Sequence, residues 1–154
     1  MRFLCDEMLA SLARLLRAAG YDADLATGGE RDEAILARAK AEARMLLTRD
    51  RDLAARAAPA ALLLPQTSAE AQARALARVL PIDWGLAPFT RCVVDNSVLR
   101  AATPEEVARM PAQSRARGGP FRACPACGRL YWPGSHVKRM AARLEALAGA
   151  ARQA

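Results

Sequence analysis

The chain contains no apolar run approaching the ~20 residues that a membrane-spanning helix needs. Nor does it carry a charged-then-apolar leader closed by a small-residue cleavage site, so the expectation is a cytoplasmic chain with no membrane partner. Three sequence marks of common chemistries are also missing: a Walker-type glycine loop, a G-x-S-x-G elbow and a Rossmann glycine fingerprint. Nucleotide hydrolysis and serine chemistry therefore have no support. There is no internal repeat, and nothing in the composition argues for disorder. Cysteine is sparse at four residues, which in a reducing compartment suit metal ligation or core packing better than disulfides.

What is present is 154 residues with 53% hydrophobic side chains, enough for one compact domain or a small core domain with an appended module. The formal charge of +7 is unevenly spread. Residues 1–81 carry 12 basic and 11 acidic side chains, whereas 82–154 carry 11 basic and 5 acidic, so the halves differ as +1 against +6. A basic module beside a nearly neutral one suggests a polyanionic partner, with counterion release supplying much of the affinity. The alternative source of this excess is an arginine-rich proteome that raises the charge everywhere.

Met45–Thr48 is a short apolar run that breaks into the acidic corner Arg49-Asp50-Arg51-Asp52, and Arg2–Cys5 breaks likewise into Asp6-Glu7. Both read as buried strands, and in open α/β sheets ligands collect beyond the carboxyl ends of strands. Between them the pattern predicts a helix over 8–19 stopped by Gly20, with Arg14 and Arg17 off its apolar face. A strand over 21–26, a loop over 27–31 and a helix over 33–43 with Asp32 as its N-cap follow. A short helix over 53–57, a strand over 61–64 and a helix from a Thr67/Glu70 capping box to Leu80 complete the first part. Strands and helices alternating at this spacing imply βαβ units and a mainly parallel sheet. Residues 82–89 lack any period and read as a linker between units at 1–81 and 90–150. Beyond it Thr103–Glu106 is a capped helix start, 113–120 a basic loop, and 137–149 a terminal helix.

Asp6, Asp32 and Asp50, with Asp52 and Glu7 beside them, form the candidate catalytic set. Phosphodiester hydrolysis needs an activated water and neutralisation of charge at phosphorus, which a divalent metal on carboxylates supplies; Mg²⁺ and Mn²⁺ prefer such oxygen donors. Taken singly, each aspartate is equally a helix cap, and Asp52 falls either in the site or on the surface. Cys124-Pro125-Ala126-Cys127-Gly128 has the form of a zinc knuckle. Its partner turn begins at Cys92 but has Asp95 three residues on; Cys92, Asp95, Cys124 and Cys127 can still close a tetrahedral zinc site, with His136 as the rival fourth ligand. Cys5, inside an apolar strand, is a core residue. Arg14, Arg17 and Arg49, and Arg129, Lys138 and Arg139 next to Tyr131 and Trp132, are the candidate contacts to nucleic acid, and a solvated face or an aromatic core is the alternative for each group.

Phe3–Leu9, Leu12–Arg17, Gly20–Asp22, Asp32 and Leu47–Leu53 resemble the PIN-like ribonuclease domain at the C-terminus of Mut-seven-type exonucleases. Arg91-Cys92, Asn96, Cys124–Arg129 and Tyr131–His136 are similar to the zinc ribbon fused to it. The resemblance implies a three-layer α/β/α sandwich with a mainly parallel sheet, followed by a small zinc ribbon and a C-terminal helix. It also implies a metal-dependent ribonuclease with Asp6, Asp32 and Asp50 at the Mg²⁺ or Mn²⁺ site, Asp52 and Thr48 nearby, and RNA as partner. The family ribbon has cysteine where this chain has Asp95. Two rival expectations are a non-catalytic RNA-binding adaptor, in which the acids are structural, and a toxin-like nuclease paired with an antitoxin.

Overall fold

A computed structural model describes residues 1–151. Four strands, β1 (Arg2–Cys5), β2 (Asp22–Leu25), β3 (Met45–Thr48) and β4 (Ala61–Leu63), form one sheet in the order β2-β1-β3-β4, and every neighbouring pair is parallel. The helices between and after them are α1 (Ala10–Ala19), α2 (Asp32–Ala41), α3 (Arg51–Ala57) and α4 (Ala69–Val79). A single 3-10 turn, Glu7–Leu9, leads from β1 into α1.

The continuous apolar character of β1 and β3 follows from burial of the sheet on both faces. Because successive side chains alternate, Phe3, Cys5 and Leu47 enter one cluster with Leu12, Leu15 and Leu16 of α1 and Leu76 of α4. Leu4 and Leu46 enter the other, with Ile35 and Ala39 of α2 and Leu53 of α3. The result is the three-layer α/β/α sandwich. Cys5 is fully buried, and burial pushes its thiol up to about 12, as a core residue requires.

The C-terminal part adds β5 (Arg100–Ala101), α5 (Pro104–Ala108), α6 (Ala112–Ala116), β6 (Arg122–Ala123), β7 (Leu130–Tyr131) and α7 (Ser135–Ala151). Strands β5, β6 and β7 make a small antiparallel sheet, as a ribbon does. The capping box at Thr103 and Glu106 forms as expected. This part shares the main core: Leu144 and Leu147 of α7 are buried in the same cluster as Phe3. Residues 82–89, expected to be a linker, are packed as well. Ile82 and Trp84 are buried in that cluster, and the Ala87 and Phe89 N–H groups donate to Ala19 and Ala18 carbonyls at 3.0 and 2.9 Å.

Several local expectations are corrected. Arg31, extended at φ −71° and ψ 150°, is the N-cap of α2, and Asp32 is its first helical residue. Ser68 rather than Thr67 caps α4, and the Glu70 carboxylate accepts from Arg143 of α7 at 2.6 Å. The basic segment 113–120 begins within α6. Arg17 is interior and only 3% exposed: its guanidinium donates to Ala23 O at 2.6 Å and Val94 O at 2.7 Å, tying α1 to β2 and to the ribbon. The heptad-like pattern could not place it, because its partners come from elements far along the chain.

The edge strand β2 is closed by a polar knot. Asp22 accepts from Arg44 at 2.6 Å, Arg2 at 3.1 Å and Asn96 at 2.7 Å. Burial works against ionisation of Asp22, but these donors outweigh it and hold its carboxyl well below the ordinary range. Asn96 Oδ1 also accepts from the Ala23 N–H at 3.1 Å, so a ribbon residue covers an exposed sheet edge.

Gly20 ends α1 at φ 102°, and a Cβ there would stand 2.5 Å from the Ala87 carbonyl oxygen. Both the left-handed backbone and the close approach demand glycine. Gly20→Ala is expected to lower unfolding free energy by about 2–4 kcal/mol in chemical denaturation. A loss below about 1 kcal/mol would mean that Ala87 gives way easily.

Candidate functional site

The strand order fixes where a cleft can form. The chain passes from β1 to β2 on one side and from β3 to β4 on the other, so the sheet reverses direction between β1 and β3. Ligands in open α/β sheets bind outside the carboxyl ends of strands at such a point. Asp6 follows β1 and Asp50 follows β3, separated from it by Arg49.

The register Cys5↔Leu47 brings Asp6 alongside Thr48, and the Asp6 N–H extends the ladder to Leu47 O at 2.9 Å. The Thr48 hydroxyl, fully buried, donates to Asp6 Oδ2 at 2.8 Å and accepts from the Asp50 N–H at 3.0 Å. One side chain therefore orients the Asp6 carboxylate and anchors the backbone of Asp50. Asp6 Oδ1 accepts from the Glu7 N–H at 2.7 Å, and Asp50 Oδ1 caps α3 by accepting from the N–H groups of Asp52 and Leu53 at 2.7 and 3.0 Å. Asp50 is thus both a helix cap and a wall of the cleft.

Asp6, Glu7, Glu30, Asp32 and Asp50 line one cleft of about 440 Å³, with Arg31 as the one positive wall residue among the described residues. Asp32 accepts from Arg56 at 3.1 Å, and Arg56 also binds Glu33 at 2.8 Å. Asp52 is exposed on the first turn of α3 and does not line the cleft. Sequence reading missed Glu30 as a wall residue, because it lies in a loop with no period to mark its direction. Asp6, Asp32 and Asp50 share the cleft, but among the described residues their donor atoms do not converge as tightly as the cysteine set does.

In the ribbon, Cys92, Asp95, Cys124 and Cys127 each offer one donor atom, and these atoms all lie within 4.8 Å of one another. The two turns are built alike. Asn96 N–H donates to Cys92 O and Gly128 N–H to Cys124 O, both at 3.0 Å, and Asn96 and Gly128 share φ 70°. Cys92 and Cys127 Sγ are 3.7 Å apart, and a tetrahedral ion with sulfur bonds of about 2.3 Å separates its sulfurs by about 3.8 Å. Asp95 Oδ2 lies 3.1 Å from Cys124 Sγ. The donor set fits a metal ion. The Arg129 N–H favours the Cys127 thiolate, but burial and the adjacent Asp95, Cys124 and Cys92 outweigh it and push that thiol up to about 12. Burial opposes the Asp95 carboxylate, yet the Ser97 N–H and the two neighbouring thiols hold its carboxyl well below the ordinary range. Clustered anionic ligands share protons in this way until a cation takes their place.

A family model, the Mut7-C RNase domain, matches residues 1–144. The chain belongs to this family. No curated protein and no solved structure matches it. Membership in the Mut7-C family ties the chain to ribonuclease-type, RNA-related function. No described helix is long and apolar enough to cross a membrane.

His136 is corrected as a metal ligand: it is exposed on α7, with Nδ1 2.9 Å from an Arg139 nitrogen and outside the converged set. Of the candidate cations for nucleic acid, Arg14 and Arg129 are exposed and line one groove, while Lys138 and Arg139 are exposed on α7. Arg49 is half-buried, with Nε enclosed and unpartnered among the described residues. Arg17, spent on interior carbonyls, is withdrawn from the set. Replacing Cys124 by Ser is expected to reduce bound metal to below about a tenth of an equivalent, whereas His136→Ala leaves it unchanged. Elemental analysis of the purified variants measures this; the opposite ranking would restore His136 as a ligand.

Proposed function

We propose that the protein is a metal-dependent ribonuclease whose chemistry takes place in the acidic cleft at the end of β1 and β3. The observation that carries the reading is the Thr48 hydroxyl, which holds Asp6 and Asp50 at adjacent strand ends, in a chain of the Mut7-C RNase family. Asp6, Asp32 and Asp50 line the same cleft and would offer all-oxygen donors to Mg²⁺ or Mn²⁺, which would supply an activated water and neutralise charge on the phosphate. Asp6 and Asp50 would hold the ion, the first carboxylate oriented by Thr48 and the second by the α3 N-terminus. Pre-set donors of this kind lower the reorganisation needed as charge develops. Asp32 is presented from α2 and steadied by Arg56. Asp52 contributes its backbone N–H to Asp50 and belongs to the support of the site.

In the same reading the ribbon's ion is zinc, held by Cys92, Asp95, Cys124 and Cys127 as a structural site, and the basic C-terminal half holds the RNA. The working compartment is the cytoplasm. Exchange of cysteine for Asp95 hardens one ligand, so Asp95→Cys tightens zinc binding on the order of tenfold in competition with a chelator.

A non-catalytic RNA-binding reading also has an observation in its favour: Asp6 and Asp50 each accept backbone N–H groups, as helix caps do. Cleavage of single-stranded and structured RNAs with Mn²⁺ separates the two. Asp6→Asn and Asp50→Asn each lower the rate on the order of 10²-fold or more, and Thr48→Val lowers it on the order of tenfold through misorientation. Unchanged rates in both aspartate variants would remove the cleft as the site and leave the binding reading.

A further inference from the structure

A second concavity lies away from the acids, where α1, α6, the ribbon and α7 meet. Its volume, about 610 Å³, is in the range that takes a small organic ligand. Three aromatic side chains contribute to its walls: Phe89 from the segment after the main core, and Tyr131 and Trp132 from the end of β7. Three arginines stand with them, Arg14 from α1, Arg117 from just beyond α6 and Arg129 from the metal-bearing turn, and His136 lies at the start of α7. Among the described residues no Asp or Glu lines it. All three arginines are exposed, and none is in a salt bridge among the described residues.

Tyr131 and Trp132 are fixed in place. The Tyr131 hydroxyl donates to Cys92 Sγ at 3.2 Å and accepts from the Val93 N–H at 3.1 Å. Trp132 is backed by Gly134, where a Cβ would stand 2.7 Å from the indole nitrogen, so only glycine lets the chain pass there without moving the ring. Rigid aromatic faces beside unpaired guanidinium groups are the means by which proteins hold unstacked bases and their phosphates. A duplex hides its base faces within its stack, whereas a single strand can turn them outward. An acidic peptide would satisfy the arginines but gain less from three ring systems than a nucleobase, whose whole face stacks.

We infer that this groove is the single-strand binding site of the protein, taking one or two unstacked RNA nucleotides on Phe89, Tyr131 and Trp132 with their phosphates on Arg14, Arg117 and Arg129. The inference rests on the ribonuclease reading for the nature of the ligand, and on the groove for where it binds. It assigns the polyanion contact to a place assembled from both ends of the chain. It also gives a role to Arg117, a residue in no motif.

Tryptophan emission tests it in the full-length protein with a short single-stranded RNA and no added Mg²⁺ or Mn²⁺. Trp84 is 2% exposed inside the core, so a ligand-dependent change reports Trp132. Expected are saturable quenching that disappears in Trp132→Phe, and affinity at least about tenfold weaker in the double variant Arg14→Glu, Arg117→Glu. Arg109→Glu, which removes one exposed cation outside the groove, changes affinity less than twofold. Circular dichroism checks that each variant is folded. RNA binding that leaves Trp132 emission unmoved, equal losses in the groove and Arg109 variants, equal quenching by an acidic peptide, or no RNA binding at all would each overturn the groove. Cleavage with Mn²⁺ that persists without quenching would fell the groove and spare the nuclease reading; quenching without cleavage would do the reverse.

Discussion

The parallel pairing of β1 with β3 is the constraint on which the rest of the molecule depends. It sets Cys5 opposite Leu47, and one step further it sets Asp6 beside Thr48. Buried with no other use for its hydroxyl, Thr48 satisfies itself on the Asp6 carboxylate and the Asp50 backbone. A hydrogen-bonding requirement of the core thereby becomes the orientation of two acids at a sheet edge. Shifting β3 by one residue would turn Leu47 and Thr48 to the opposite faces and dissolve both the core layer and the cleft.

The same economy ties the ribbon to the sandwich. Arg17 reaches from α1 to Ala23 O and on to the carbonyls of Val93 and Val94, which lie between Cys92 and Asp95 of the candidate metal site. Asn96, directly after Asp95, covers the edge of β2 and joins the Asp22 knot. Helix α7 returns to pack Leu144 and Leu147 against the main core. The two cysteine-bearing turns are therefore held by the sheet as well as by one another. The aromatic groove, with walls from α1, α6 and the ribbon, exists only because these parts share one core.

The charge split acquires a structural meaning from this arrangement. Five acids of the first half, Asp6, Glu7, Glu30, Asp32 and Asp50, line the cleft at the end of the sheet, and among the described residues no carboxylate lines the second concavity beside its arginines. A polyanion drawn by the basic half would be repelled by the acids of the cleft unless a cation offset their charge.

By itself the sequence determined the layered α/β architecture, because apolar runs of strand length alternate with amphipathic helices and each run ends in an acid or a turn. It also marked two matching turns, because Cys92 and Asp95 repeat the spacing of Cys124 and Cys127, while His136 stayed a rival to them. Periodicity carries such information: it is a local property of each segment. Only the tertiary structure decided the fate of residues whose partners are remote in the chain. Arg17 has the spacing of a surface arginine, yet it is interior because three carbonyls from β2 and the ribbon converge on it. His136 follows the ribbon motif, yet α7 carries it away from the sulfurs. Residues 82–89 have no pattern, yet Ile82 and Trp84 are buried in the main core cluster while most of their neighbours stay at the surface. Arg14 and Arg117 become neighbours across one groove for the same reason: long-range packing decides which side chains share a space, and no local spacing encodes it.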